Sequence, residues 1–234
     1  MDNTSDNHHC RRVKAYIDAV CPGAYRGGMK SDFKKLIHTY SAKHGEFSVV
    51  TVPPLQFLMI DGRGDPNSAQ AYKDAVTTLY PVAYKLKFFS KNQLDKDYGV
   101  MPLEALWWAD DMESFTSARD KSQWDWTLMN LIPEWITHEH FDAAREVVAK
   151  KGEAPALEGL RLEPLEEGMS VQTLHLGSYD DEAPVLEEMH NSFIPGQSLA
   201  MTGKHHEIYL GDPRRTAPEK LKTILRQPVM QVPG

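Results

Sequence analysis

The residues best placed to do chemistry lie near the C-terminus, in His205-His206-Glu207-Ile208-Tyr209-Leu210-Gly211-Asp212-Pro213-Arg214-Arg215-Thr216. Period-two alternation puts His205, Glu207 and Tyr209 on one face of a strand and His206, Ile208 and Leu210 on the other. A carboxylate among apolar and aromatic neighbours is costly to bury without a partner. Glu207 therefore either faces water, paired with His205, Arg214 or Arg215, or sits in a cavity that uses its charge. In a dry aromatic cavity its pKa would rise and it could exchange protons near neutral pH. Ionised, it would attract a cation, with aromatic rings adding cation–π contact.

Glu104, in Met101-Pro102-Leu103-Glu104-Ala105-Leu106-Trp107-Trp108, offers the same two readings. Two carboxylates in one cleft suit acid–base work on a water and a leaving oxygen. Tyr209 shares the face of Glu207, so its hydroxyl could reach the same ligand. The chain's five tryptophans all fall between 107 and 135, more than one small sheet needs for its core. Trp107, Trp108 and Trp126 are candidates for the wall of a cleft, with Trp108 favoured because it shares a face with Glu104. Tyr80 and Tyr84 could be core or cleft.

These groups need strands and helices to hold them. Phe47 to Ile60 is β-rich and interrupted at Pro53-Pro54, which predicts an edge strand with a break. Asp61 to Ser68 reads as a turn. The helix after it carries Tyr72, Val76, Leu79, Ala83 and Leu86 on one stripe, and Pro81 should kink it. Strands follow at Val100–Ala109 and within Gln123–Ile136, separated by a polar connection, and Thr137–Lys151 reads as a connecting helix. After a linker at Glu153-Ala154-Pro155 the order recurs. A strand pair or broken strand spans Leu160–Gly177. A helix opened by Asp180-Asp181-Glu182 ends at Pro195-Gly196, and the Glu207 strand and a last strand at Lys222–Val229 complete the set. Thr216-Ala217-Pro218-Glu219 has the composition of a capping box opening a short helix. Glu104 and Glu207 then occupy the same strand of each repeat, which predicts that both point into one shared cleft.

Composition sets the outer bounds. The 234 residues are 41% hydrophobic and 25% charged, as in ordinary globular proteins, with enough length for a substantial core. The net charge of −7 argues against a nucleic-acid binder that works by phosphate neutralisation. No apolar run approaches the roughly 20 residues of a membrane span. With two cysteines, both near the N-terminus, and no signal-peptide pattern, the expectation is a cytoplasmic protein with no disulfide framework. Residues 1–28 read as a poorly ordered extension rather than a DNA-binding arm, with Met29 an alternative start. His138-x-His140 and His205-His206 lack zinc-site spacing, and neither a nucleophile elbow nor a phosphate loop is present, so no metal and no cofactor are expected.

Taken together, Pro53-Pro54-Leu55-Gln56-Phe57-Leu58-Met59-Ile60-Asp61-Gly62-Arg63-Gly64-Asp65-Pro66-Asn67, Tyr80-Pro81-Val82-Ala83-Tyr84, the Glu104 strand and His206-Glu207-Ile208-Tyr209-Leu210-Gly211-Asp212-Pro213-Arg214-Arg215 resemble the GyrI-like small-molecule-binding family, in its stand-alone branch. The resemblance implies an α+β fold of tandem strand–helix–strand–strand repeats with antiparallel sheets around a central ligand cleft. The domain would span residues 29–229, with repeat one at about 46–136, the connecting helix at 137–151 and repeat two at about 157–229. Relatives hold hydrophobic cations between a buried glutamate and aromatic rings, hydrolyse cyclopropanoid DNA-alkylating toxins, or protect DNA gyrase. By their motif contexts Glu207 and Glu104 match the family's glutamates. The expected partner is a bulky planar or cationic small molecule, with no nucleic acid and no membrane. The expected activity is glutamate-assisted ring opening, or else non-catalytic drug binding or gyrase protection.

Overall fold

The computed structural model describes residues 30–109 and 121–233. The predicted N-terminal extension and most of the polar connection after Ala109 lie outside the described residues. Among the described residues nine strands and three principal helices follow in chain order: β1 Ser48–Val52, β2 Leu55–Arg63, α1 Gln70–Gln93, β3 Glu104–Trp108, β4 Asp125–Leu131, α2 His138–Ala149, β5 Arg161–Leu165, β6 Gly168–Leu176, α3 Ala183–Glu188, β7 Leu199–Met201, β8 His205–Tyr209 and β9 Lys222–Gln231.

Pro53-Pro54 divides β1 from β2, because proline donates no ladder hydrogen bond. The break lets the two strands join different neighbours: β1 pairs with β6, while β2 pairs with β4 and β5. The repeats thus exchange their first strands and share one antiparallel sheet, ordered β1-β6-β9-β8-β3-β4-β2-β5, with β7 added on β9. Read inward from either end, the order meets corresponding strands of the two repeats, and the midpoint falls between β3 and β8.

Both long helical segments cover one face, called the front here. α1 buries Ala75, Leu79, Val82, Ala83 and Leu86 against Leu58, Ile60, Leu128 and Trp126. It runs through Pro81 rather than ending there. α3 continues through a π-helical turn, Met189–Phe193, and a last turn, Ile194–Gly196, and packs Met189 and Ile194 on Val171, Leu225 and Val229. α2 starts at a reciprocal cap: the Thr137 hydroxyl accepts from the His140 amide, and His140 Nδ1 accepts from the Thr137 amide. The predicted helix after Thr216 is only a 3₁₀ turn, Pro218–Lys220, without a side-chain cap.

The back face is closed by residues 30–44 and the segment around Tyr98. Phe33, Ile37, Tyr40, Tyr98 and Met101 bury Phe57, Met59, Leu106, Met129, Ile208 and Ile224. A residue of β3 or β8 therefore enters one of two different layers, and which one depends only on parity.

Candidate ligand cleft

The register of the central pair decides where each glutamate goes. Ala105 stands opposite Glu207, Glu104 opposite Ile208, Leu106 opposite His206 and Trp107 opposite His205. Opposed residues share a face, so Glu207, Trp107, His205 and Tyr209 point to the front, and Glu104 and His206 to the back. The predicted shared cleft for Glu104 and Glu207 is thus corrected. Matching the two glutamates by sequence context is one residue out of step with the pairing, and one residue reverses the face.

Between α1 and α3 the front face opens into a cleft of about 1620 Å³, above the usual range for drug-sized ligands. Glu207 sits on its floor with its side chain 13% exposed. Trp107 Nε1 donates to the Tyr209 hydroxyl at 3.0 Å, and that hydroxyl donates to Glu207 Oε2 at 2.7 Å. Burial pushes the Glu207 carboxyl up, to about 7, against the pull of the Tyr209 and Trp107 donors. Burial also pushes the Tyr209 hydroxyl well above its ordinary value, helped by the charge of Glu207, so it stays a donor.

Aromatic rings form the walls. Tyr72 of α1 lies nearly parallel to Trp107, with centroids 6.4 Å apart, and Trp124 meets Trp107 edge-on at 5.6 Å. Tyr179 meets Tyr209 edge-on at 5.3 Å. Tyr80 and Tyr84 line the cleft along α1, with Tyr84 half exposed. Trp108 shares the Glu104 face, as expected, but that face is the back one; it packs against the back layer and still contributes to the lining, with Lys204 Nζ 3.1 Å from its ring centroid. Trp126 does not. It is fully buried over Gly62, where an added Cβ would come within 2.1 Å of its ring, so its bulk fills the front-face core under α1.

The wall formed by α3 contributes what sequence reasoning missed. Glu182, read from sequence only as a helix-start residue, is 4% exposed, lines the cleft, and its Oε1 has no hydrogen-bond partner. Burial, reinforced by the charge of Glu207, pushes its carboxyl up to about 10. His190 lies in the π-helical turn, a distortion common at functional sites, 5.8 Å from the His205 ring. His190 Nε2 and both His205 nitrogens also lack hydrogen-bond partners, and His205 Nε2 is 3.7 Å from Glu207 Oε1. Burial pulls His205 down to about 3, so it is neutral at physiological pH. Buried polar atoms without partners are uncommon, and several around one hollow mark a place that water or a polar ligand group fills. The one sequence-level signal was Glu182 at the start of a helix whose Leu186 and His190 follow at four-residue steps.

Glu104 is engaged on the other side of the sheet. It accepts from the Tyr40 hydroxyl at 2.6 Å and lies 3.1 Å from His206 Nε2. His206 Nδ1 is 2.9 Å from Glu167, which also accepts from Arg226 at 2.8 Å. Arg226 completes its set with Gln172 and the Thr39 carbonyl. Burial alone would pull His206 down, but the charge of Glu167 and hydrogen bonds to both glutamates lift it to about 9. Glu167 goes to about 2, because His206 and Arg226 outweigh its burial. Two carboxylates, one guanidinium and one imidazolium neutralise each other, and all four side chains are at most 3% exposed.

Among the described residues no helix is long and apolar enough to cross a membrane, and no three His, Cys, Asp or Glu side chains are grouped to hold a metal ion. Comparison with curated proteins found no match. Solved structures are similar over most of the chain. An uncharacterized conserved protein from Listeria innocua is 39% identical with TM-score 0.77, covering 85% of this chain and 99% of its own. A hydrolase from Listeria innocua is 38% identical with TM-score 0.73, covering 85% of this chain and 99% of its own. The GyrI-like small-molecule-binding domain matches residues 45–230. With an α+β fold of two repeats around a ring-walled cleft, the chain belongs to the GyrI-like family.

Proposed function

We propose that the cleft takes a flat, largely apolar electrophile and adds water to it, with Glu207 as the base. The proposed substrate class is a cyclopropane fused to a dienone, as in DNA-alkylating toxins. The observation that carries the reading is the placement of Glu207, a carboxyl on the floor of an aromatic hollow with the Tyr209 hydroxyl on its Oε2, pushed up to about 7 by burial. Tyr209 fixes Oε2, so the other oxygen is left to orient a water. The water oxygen bonds to the cyclopropane methylene carbon as the carbon–carbon bond to the ring breaks. That electron pair enters the dienone, whose carbonyl oxygen takes up a proton and becomes a phenol hydroxyl. Glu207 receives the proton that water loses, so the sum is addition of one water. Trp107 and Tyr72 hold the flat substrate in line. The similarity to a Listeria innocua hydrolase supports turnover at such a site.

Incubation of the purified protein with such a compound yields the water adduct by mass spectrometry. Glu207→Gln removes it; undiminished turnover in that variant takes Glu207 out of the mechanism. The second reading, holding a hydrophobic cation without chemistry, is favoured by the same carboxylate under the same rings. It predicts tryptophan quenching by a cationic dye that strengthens as pH rises through about 7 and Glu207 ionises, with the dye recovered intact.

A further inference from the structure

We infer that Glu182 is the second carboxyl of the cleft, holding the proton that passes to the ligand's oxygen as Glu207 takes one from water. This rests on the ring-opening reading above and supplies its missing donor. Sequence reasoning leaves that role to Glu104 or Tyr209, but Glu104 is sealed in the back layer with Tyr40 and His206, away from the cleft lining, and the Tyr209 hydroxyl already donates to Glu207. Among the described carboxylates lining the hollow, Glu182 combines near-complete burial with an oxygen that has no partner. Its wall, the start of α3, stands over the floor that carries Glu207.

The groups around it keep a proton in place. Glu207 and Tyr209 face it from β8, Lys121 from the segment before β4, and Tyr179 and Asp180 from its own turn. Burial first, then the charges of Glu207 and Asp180, oppose ionisation of Glu182, and the nearby Thr223 hydroxyl and the charge of Lys121, which favour it, are outweighed. Two carboxyls that repel each other across one hollow keep one proton between them over a wide pH range. Glu207 is the member that ionises first and serves as base, leaving Glu182 as the acid. In the reaction the Glu182 O–H bond breaks, its proton joins the former carbonyl oxygen, and Glu182 is left as a carboxylate. The proton gained by Glu207 then returns the pair to its starting state, so nothing beyond water is consumed.

The Glu182–Glu207 pair therefore carries at most one negative charge near neutral pH rather than two.

The test compares Glu182→Gln, Glu182→Asp and wild type in turnover of a cyclopropane–dienone compound across pH. Wild-type rate rises as Glu207 ionises and falls again as Glu182 does. Glu182→Gln lowers kcat by about 10²–10⁴-fold and loses the alkaline fall, because an amide donates no proton, while Glu182→Asp keeps the fall. A side chain that only supported the fold would leave the alkaline fall in place, and that result overturns the assignment. Infrared difference spectra of the ligand-free protein give a reading independent of turnover. A protonated-carboxyl band that persists at mildly alkaline pH disappears in Glu182→Gln and survives in Glu207→Gln; a band unchanged in Glu182→Gln overturns the assignment. Absence of any adduct from wild type overturns the ring-opening reading, and the infrared comparison still decides whether Glu182 holds the proton.

Discussion

Two buried acidic sites lie back to back across the β3–β8 pair, and they are built on opposite principles. On the back, Glu104 and Glu167 are each satisfied by Tyr40, His206 or Arg226, and the charges cancel. On the front, Glu207 and Glu182 face a hollow where no lysine or arginine among the described residues forms an ion pair with either, and neighbouring polar atoms on Glu182, His190 and His205 go without hydrogen-bond partners. Burial is similar on the two faces, but pairing is not. A paired carboxylate such as Glu167 is driven down to about 2, whereas Glu207 rises to about 7 because its burial outweighs the Tyr209 and Trp107 donors and the more distant charges of His206 and Lys121. Adjacent residues of one strand, His206 and Glu207, thus serve the fold and the ligand separately.

The comparison breaks most visibly if the back network is disturbed. Glu167→Gln leaves Arg226 without its carboxylate and His206 with Glu104 alone, and destabilisation of about 3–5 kcal/mol is expected in denaturant unfolding. The cleft should keep its ligand preference in the surviving folded fraction. Tyr40→Phe removes one hydrogen bond to a buried carboxylate, with an expected loss of about 1.5–3 kcal/mol by the same measurement. It also tests whether residues 30–44 are pinned to the sheet at Glu104.

The pH dependence of stability separates the faces by sign. His206 has a folded pKa raised from 6.5 to about 9, so its contribution is fully present below 6.5 and is lost as pH rises through about 9. Glu167, lowered from 4.5 to about 2, contributes above 4.5, and that part is lost as pH falls through about 2. Glu207 runs the other way from Glu167: raised from 4.5 to about 7, it favours folding below 4.5 and ceases to as pH rises through about 7. Glu207→Gln should therefore flatten the decline in melting temperature between those limits, whereas Glu167→Gln should remove the acid-side loss. The smallest effect belongs to the rim. The exposed Lys121–Asp180 pair, at 2.8 Å, should contribute less than about 1 kcal/mol, so Lys121→Ala leaves unfolding nearly unchanged.

Much of this was legible in the chain. The alternation around Glu207 gave its face correctly relative to His205 and Tyr209, and the α1 stripe and the break at Pro53-Pro54 appear where periodicity and proline place them. What could not be read was the pairing between distant strands. Nothing local to residues 104–108 says that Ala105, not Glu104, meets Glu207, and a one-residue difference in register moved a proposed site residue into the opposite core. Trp126 was ambiguous for a related reason, since its neighbour Gly62 belongs to another strand. Glu182 was overlooked because an acidic residue at a helix start already has a sufficient local explanation. Only the fold shows that this helix start leans over the cleft. The exchange of β1 and β5 between repeats was likewise invisible, because each strand pairs far from its sequence neighbours.

The most direct test of this two-faced arrangement is mass-spectrometric analysis of a cyclopropane–dienone compound incubated with folded wild type, Glu207→Gln and Glu104→Gln, each brought to equal folded concentration. The account predicts the water adduct from wild type and from Glu104→Gln, and none from Glu207→Gln. Loss of the adduct in Glu104→Gln with its retention in Glu207→Gln would contradict it.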